Sequence, residues 1–268
     1  MTLPSVLWYA RCPFFLTKGG VFLKNVTKAD LLAGLRALGV RPGDVLEVHS
    51  SLRSFGHVEG GAETVVSALK EAVTAEGTLF MPALRLSPPV PLTDEDRALG
   101  LTSRIRILPP DAPRTAMGAI ADLFRVQEGT VVSDGVFRVA AWGKHAAEAL
   151  TGGLDYVIAN GGKALMMGVD IYRLTAMHYV EDALPQKVRD VFAPSAEALR
   201  RYPEDEWLIE AGEPPIKAWY TIQDRAYARG LIQEMRVGAS RWMVLPVRNV
   251  TELYRQALLT EGSALYGL

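Results

Sequence analysis

The sequence predicts an α/β fold in three layers, with helices on both faces of a central mixed, largely parallel sheet and loops inserted between elements. Short apolar runs, 45–48 and 78–81, alternate with segments of helical periodicity such as 62–72. Polar residues follow the first run directly, as in strands that carry a ligand site at their carboxyl ends. A chain of 268 residues is also long enough to bury a sizeable core.

The amino-terminal half begins with a helix and a strand. The leucines of 31–38 share one helical face, and Thr27 is placed to cap this helix in front of Asp30. A glycine-rich turn, 39–44, ends the helix and leads into a buried strand at 45–48. The helix 62–72 and a strand at 77–82, which a proline ends, follow in quick succession.

The rest of the chain is less regular. Residues 84–113 hold six prolines and little periodicity, so we expect a long surface excursion that serves as a lid or as a packed structural loop. We expect an acidic, irregular segment at 200–215. The remaining predicted elements are a helix from about Thr115, strands at 131–133 and 137–143, a helix at 144–150, a strand at 164–169, helices at 174–184 and 224–229, a strand at 242–247 and a closing helix at 250–259.

Composition limits the class of protein. A net charge of −1 gives no basic field for nucleic acid, and no run reaches the roughly 20 apolar residues of a membrane span. The single cysteine, Cys12, excludes an internal disulfide and fits a reducing compartment. No basic segment precedes the apolar start of the chain, so we expect no signal peptide and a cytoplasmic protein. We expect a lead-in over 1–26 and a single domain over 27–268.

A histidine and a glutamate three residues apart are the best candidates for chemistry. His178 and Glu181 would lie on one face of the predicted helix, where a carboxylate can orient an imidazole as a general base. A surface pair on a helix has the same spacing, so both interpretations stay open at this point.

Several motifs make this sequence resemble the aminoglycoside 3-N-acetyltransferase family. The run VHSSL, followed by FG, V and GGA, is similar to the segment around the coenzyme in that family, and TAMHYVE is similar to its T-x-L-H-x-x-E motif. Further similarity lies in RTAMG, VAAWGKHAAEAL and RVGAS. Together these motifs extend the resemblance from about Thr27 to Leu259.

The resemblance implies an acyltransferase with acetyl-CoA as co-substrate and no metal. It implies direct transfer in a ternary complex, with His178 as general base and Glu181 as its partner. A homodimer is a further expectation, from family analogy and the apolar first 24 residues. The implied coenzyme-binding residues are His49, Ser50, Ser51, Leu52, Ser54, Gly56, Val58, Gly60, Gly61, Arg114, Thr115 and Met117.

The acceptor is expected to be an aminoglycoside, modified on the 3-amino group of its 2-deoxystreptamine ring, which would confer antibiotic resistance. Since such a substrate is a polycation, acidic side chains should line its site. Asp170 and Asp182, together with Thr175 and the acidic segment 204–213, are the candidates. Departures from the family pattern at Asp134-Gly135 and at Leu174 leave a different amine as the alternative.

Other classes of function stay open. A serine hydrolase would use Ser50 or Ser51, but the G-x-S-x-G motif of a nucleophile elbow is missing from the sequence. A metalloenzyme would draw on the four histidines, of which no pair has ligand spacing. A protein that binds coenzyme without catalysis would retain the glycine-rich segment and would not depend on His178.

Overall fold

The computed structural model of the protein describes residues 25–268. The residues 1–24, with Cys12 and most of the predicted lead-in, lie outside the described range. Within it the α-helices are α1 (Lys28–Ala37), α2 (Gly61–Val73), α3 (Asp94–Ala98), α4 (Ala119–Phe124), α5 (Ala146–Ala159), α6 (Gln186–Phe192), α7 (Ala196–Arg201), α8 (Ala218–Ala228) and α9 (Val247–Leu265). The strands are β1 (Val45–Ser50), β2 (Thr78–Pro82), β3 (Leu101–Arg106), β4 (Val131–Val132), β5 (Val139–Gly143), β6 (Lys163–Met167), β7 (Trp207–Ala211), β8 (Gln233–Val237) and β9 (Ser240–Pro246). Short 3-10 helices cover Leu52–Phe55, Ile171–Arg173 and Thr175–Ala183.

The main sheet is mixed, as predicted, and its strands run in the order β4-β5-β2-β1-β6-β9-β8. Strand β1 pairs in parallel with both β2 and β6, whereas the flanking pairs are antiparallel. Parallel pairing is therefore confined to three central strands, so the expectation that the sheet is largely parallel is wrong. Their carboxyl ends meet at one sheet edge, where ligand sites form in folds of this kind.

Helices cover both faces of the sheet, which confirms the three-layer architecture. On β6, Leu165 and Met167 pack with α1, α2 and α4, whereas Ala164 and Met166 pack with α5, α8 and α9. The alternation follows from the two-residue side-chain period of a strand. Both faces are apolar because both are covered.

The amino-terminal prediction is confirmed in detail at α1. The Thr27 hydroxyl accepts from the amide of Asp30 at 3.2 Å, and the Asp30 carboxylate accepts from the amide of Thr27 at 2.9 Å. This reciprocal capping box satisfies two amides at the start of the helix that would otherwise lack partners.

The prediction of irregular structure at 84–113 and 200–215 is wrong in part. Strand β3 pairs antiparallel with β7 in a separate two-stranded sheet. Leu101, Tyr202 and Ile209 form a small core beside it. The pairing joins residues about a hundred positions apart in the chain, so no local pattern announces it.

Several bounds also differ from the predicted ones. The helix expected from Thr115 begins only at Ala119, and the helix expected at 224–229 begins at Ala218. Helix α5 continues to Ala159 and α9 to Leu265, while β8 had no counterpart in the prediction.

Candidate active site

The predicted base and its partner meet directly. Nδ1 of His178 lies 2.9 Å from Oε1 of Glu181, and both side chains are largely buried, at 12% and 8% exposure. The segment is a 3-10 helix rather than the expected α-helix, and its N-cap is Leu174, not Thr175. The 3-10 geometry brings the two side chains close together, because side chains three residues apart eclipse one another in a 3-10 helix.

This geometry suits general-base catalysis. With Nδ1–H donating to the Glu181 carboxylate, Nε2 of His178 keeps its lone pair for an incoming proton. Arg189 fixes the partner by donating to the backbone carbonyl of Glu181 at 2.7 Å. The ring of Trp219 meets the imidazole edge-on, with the centroids 4.9 Å apart. The imidazole is therefore held from two sides.

A cavity of about 50 Å³ opens beside the base. Its walls come from the 3-10 segments, α6, α8, the end of β7 and the last residues of the chain. The lining residues are Tyr172, His178, Glu181, Leu184, Phe192, Glu210, Pro214, Lys217, Ala218, Trp219 and Tyr266. A mostly apolar wall with a few polar groups is the usual make-up of a small-molecule site.

Glu210, from β7, is the least solvated acid in this wall. It is 3% exposed, and neither of its carboxyl oxygens has a hydrogen-bond partner among the described residues. Burial, reinforced by the charge of Glu181, raises the pKa of Glu210 well above its ordinary value. A carboxyl group with a raised pKa therefore faces the cavity beside the carboxyl group that orients the base.

Aromatic rings form the outer part of the same wall. Tyr172 stacks on Tyr220 with centroids 5.0 Å apart, and it also contacts Trp219. The ammonium of Lys217 lies 5.6 Å from the centroid of the Tyr172 ring. Burial is the main cause that raises the pKa of the Tyr172 phenol, so this group stays protonated near neutral pH.

The predicted coenzyme segment forms a glycine-rich corner at the carboxyl end of β1. Gly56, Gly60 and Gly61 have φ of 83°, 75° and 61°, in the left-handed region that favours glycine. Ser50 and Ser51 are half-buried, and the amide of Ser51 donates to the Met167 carbonyl at the end of β6. The corner thus lies at the shared edge of the parallel strands.

Four residues of the predicted coenzyme set have side chains that turn inward. His49 faces Glu47, with Nε2 2.9 Å from Oε1, and Val58 is a core residue. The hydroxyl of Ser54 donates to the Ser51 carbonyl, and that of Thr115 donates to Asp122. The polar side chains of His49, Ser54 and Thr115 therefore have partners within the protein, and the coenzyme contacts of all four residues stay a prediction.

The other coenzyme candidates differ in exposure. Arg114 is exposed, and Met117 is half-buried and packs against the small cluster of Leu84, Leu86 and Ile105. Leu52 is half-buried and packs on the core below the corner.

The predicted acceptor residues separate in the structure. Asp182 is 70% exposed, pairs with Arg255 at 3.1 Å and is not among the residues that line the cavity, and its substrate contact stays a prediction. The Asp170 carboxylate accepts from the amide of Tyr172 and caps the short helix Ile171–Arg173. The amide of Thr175 lies 3.4 Å from Nε2 of His49.

Sequence reasoning missed the contributions of Glu47 and Trp219, and it included Glu210 only as one acid of the candidate acceptor segment 204–213. A signal existed for Glu47, because a charged residue interrupts an otherwise apolar strand. Glu210 was one acid within a segment expected to be irregular, and nothing local distinguishes Trp219. Both reach the site only through tertiary packing.

Among residues 25–268, the side chains are not arranged as a metal site or a serine–histidine pair would require. Among residues 25–268, no group of three His, Cys, Asp or Glu side chains is arranged to hold a metal ion. No helix there is long and apolar enough to cross a bilayer. The hydrogen bonds of residues 25–268 do not join Ser50 or Ser51 to a histidine.

A carboxylate-oriented histidine beside a cavity, with a glycine-rich corner at the carboxyl ends of parallel strands, defines an α/β protein built for general-base chemistry on a bound ligand. A family model described as aminoglycoside 3-N-acetyltransferase matches residues 48–258. The chain belongs to this family.

Curated relatives support the assignment. An aminoglycoside N(3)-acetyltransferase III of Salmonella sp is 35% identical over 219 residues, which cover 74% of this chain and 71% of that protein. One from Serratia marcescens is 33% identical over 184 residues, or 59% of this chain. The chain spans 65% of the length of the Serratia protein, and 60% of a further Salmonella relative.

Solved structures show the same fold. The apoenzyme of aminoglycoside acetyltransferase AAC(3)-IVa superposes with a TM-score of 0.67 at 21% identity, covering 92% of this chain and 93% of its own. The YokD protein of Bacillus subtilis gives 0.66 at 22%, covering 90% and 96%. AAC-IIIb, described as a binary complex with CoASH, gives 0.62 at 20%, covering 88% and 97%.

Proposed function

We propose that this chain is an acetyl-CoA-dependent N-acetyltransferase that acetylates the 3-amino group of a 2-deoxystreptamine aminoglycoside. The contact between Nδ1 of His178 and Glu181, at 2.9 Å beside the cavity, carries the proposal. In the ternary complex the acceptor nitrogen attacks the thioester carbonyl, the new C–N bond forms and the C–S bond breaks. Nε2 of His178 takes the proton that the nitrogen loses, and the thiolate leaves and is protonated.

Acetyl-CoA is the proposed co-substrate. The half-buried Ser50 and Ser51 offer hydroxyl groups to an amide-rich pantetheine arm, and the corner at Gly60 and Gly61 lets a ligand approach the backbone closely. Family membership and the AAC-IIIb neighbour described with CoASH support this assignment.

Two buried carboxyl groups support a basic acceptor. Oε2 of Glu181 and both oxygens of Glu210 have no partners among residues 25–268, so they can accept hydrogen bonds from an ammonium or hydroxyl group. The rings of Tyr172 and Trp219 add a flat surface for the apolar face of a sugar or for a cation. The neighbour AAC-VIa, with a TM-score of 0.64 and 22% identity, is described as bound to sisomicin.

A different amine is the second candidate. Lys217 places a cation beside the Tyr172 ring, at a position that favours an acceptor with fewer positive charges than a typical aminoglycoside. The departures from the family pattern at Asp134-Gly135 and at Leu174 point the same way.

A panel of amines, with and without a 2-deoxystreptamine ring, tests the proposal through acetyl-CoA-dependent thiol release. We expect turnover with the 2-deoxystreptamine compounds and a product acetylated at the 3-amino group, identified by NMR. Turnover of other amines alone would favour the second candidate. A stable acetyl-enzyme would instead support a serine nucleophile and overturn direct transfer.

We further propose that residues 27–268 act as one domain, that the enzyme works in the cytoplasm and that its activity gives antibiotic resistance. A homodimer stays a prediction, since the residues 1–24 on which it depended lie outside the described range.

A further inference from the structure

We propose that Glu47 and His49 are positioning residues, which fix the segment that carries His178 onto the strand that leads to the coenzyme corner. Both side chains lie on β1, with Glu47 fully buried and His49 8% exposed. Oε1 of Glu47 lies 2.9 Å from Nε2 of His49. The proposal rests on the function proposed above, because it gives these residues a role in placing the base.

The pair contacts the beginning of the base segment. The amide of Ala176 donates to Oε1 of Glu47 at 3.3 Å, and the amide nitrogen of Thr175 lies 3.4 Å from Nε2 of His49. These amides stand at the start of the 3-10 helix Thr175–Ala183, whose N-cap Leu174 makes no side-chain hydrogen bond. Through Glu47, strand β1 thus supplies an acceptor that a local cap would otherwise provide.

The two contacts of Nε2 cannot both be full hydrogen bonds, because one ring nitrogen either donates or accepts. The 2.9 Å contact is the better bond, which makes Nε2–H of His49 the donor and Glu47 the acceptor. Glu47 then presents a negative charge to the positive end of the helix that carries His178. The carboxylate therefore orders both its own strand neighbour and the base segment.

Fold stability does not account for this carboxylate. Oε2 of Glu47 is buried without a partner, and an ion in such a place costs free energy. Replacement of a whole buried polar pair by apolar residues is often neutral or stabilising, whereas removal of one partner alone is destabilising. A role in positioning the base explains why a charged residue occupies the middle of an apolar strand.

The variant Glu47→Met, which keeps the volume and removes the carboxylate, tests the proposal in the full chain. We expect a lower melting temperature, because the Ala176 amide and the His49 ring lose their acceptor. At a temperature where the variant stays folded we expect a fall in kcat of about 10-fold to 10²-fold and a KM for acetyl-CoA within about twofold of the original. Glu47→Gln keeps an acceptor for the Ala176 amide and should recover much of kcat. In a His178→Ala background, Glu47→Met should lower the remaining rate no further, because both changes then act through one base.

Thr78→Val is the matched control, since Thr78 is a buried polar residue of neighbouring β2 and is not among the residues lining the cavity. It should leave kcat unchanged. An unchanged kcat in Glu47→Met would overturn the positioning role. So would a loss of rate from Glu47→Met that is as large in the His178→Ala background as in the wild type. In either case, turnover by the wild-type protein would still support the proposed function.

Amide hydrogen exchange gives a readout that does not depend on turnover. We expect faster exchange at Thr175 and Ala176 in Glu47→Met and unchanged exchange in Thr78→Val. If the wild-type protein acetylates no amine, the proposed function fails and exchange alone decides the positioning role. Unaltered exchange at both amides would then overturn it.

Discussion

Glu181 and Glu210 face one cavity from two different elements, and burial, reinforced by the charge of Glu181, raises the pKa of Glu210. Glu181 is hydrogen-bonded to Nδ1 of His178, whereas burial raises the pKa of Glu210 well above its ordinary value. Two carboxyl groups in different environments can thus take different roles in one site. Glu181 orients the base, and Glu210 holds its proton to a higher pH than an exposed glutamate does.

His178→Ala should lower kcat by about 10² or more, the scale on which a general base contributes, and should leave acetyl-CoA binding largely intact. Steady-state kinetics and calorimetric titration with coenzyme measure the two effects. The chain provides its own control in His145, which has the same sequence spacing to Glu148. That pair is exposed, and Nδ1 of His145 lies 3.4 Å from Oε1 of Glu148. His145→Ala should be silent, and full turnover in His178→Ala would refute the base assignment.

Glu181→Gln should lower kcat by about 10-fold to 10²-fold, since the amide no longer stabilises the imidazolium formed during proton transfer. Removal of the charge should also lower the pKa of Glu210 toward its ordinary value, because Glu181 contributes to the shift. The pH dependence of kcat and NMR titration of the labelled Glu210 carboxyl measure the two effects. Glu148→Gln, in the exposed pair, is the control and should leave kcat unchanged. If Glu181→Gln leaves the titration of Glu210 unaffected, the two carboxyl groups do not interact.

The parts of the site that the sequence predicts are those held by contacts between residues close together in the chain. Glycines with positive φ and the spacing of His178 and Glu181 are local, and both were predicted correctly. Glu210 could not be placed, because β7 is held by pairing with β3 about a hundred residues earlier. His49 was assigned to the coenzyme from its motif. Its side chain faces Glu47 instead, since its alternation on β1 points it toward the base segment.

Glu210→Gln should change how stability depends on pH. The folded protein retains a proton on Glu210 that the unfolded chain releases as the pH rises past the ordinary value of 4.5. Wild-type stability should therefore fall with rising pH over the window above 4.5, up to the raised pKa. Urea unfolding at about pH 5 and pH 8 should show that the free energy of unfolding of Glu210→Gln, relative to that of the wild type, is higher at pH 8 than at pH 5. Glu213 is exposed, so the stability of Glu213→Gln should depend on pH as that of the wild type does. The same pH dependence in Glu210→Gln would contradict a raised pKa for Glu210.

The two-stranded sheet that carries Glu210 depends on a second buried acid, Asp96. Hydrogen bonds from Tyr202 and Thr93, with the charge of Arg104, outweigh burial and hold the pKa of Asp96 at about 2. The carboxylate therefore contributes stability above the ordinary aspartate range, and this contribution is lost as the pH falls toward 2.

Asp96→Asn should lower the free energy of unfolding by about 1.5–3 kcal/mol at neutral pH, the scale of hydrogen bonds to a charged group. Urea titration at neutral pH and near pH 3 measures the difference, which should shrink at the lower pH. Asp94→Asn is the control, because Asp94 is fully exposed on the same helix. Because β3 and β7 hold Glu210 in the cavity wall, Asp96→Asn should also raise the KM for the acceptor more than that for acetyl-CoA. A uniform effect on both substrates would mean that the two-stranded sheet does not shape the acceptor side of the site.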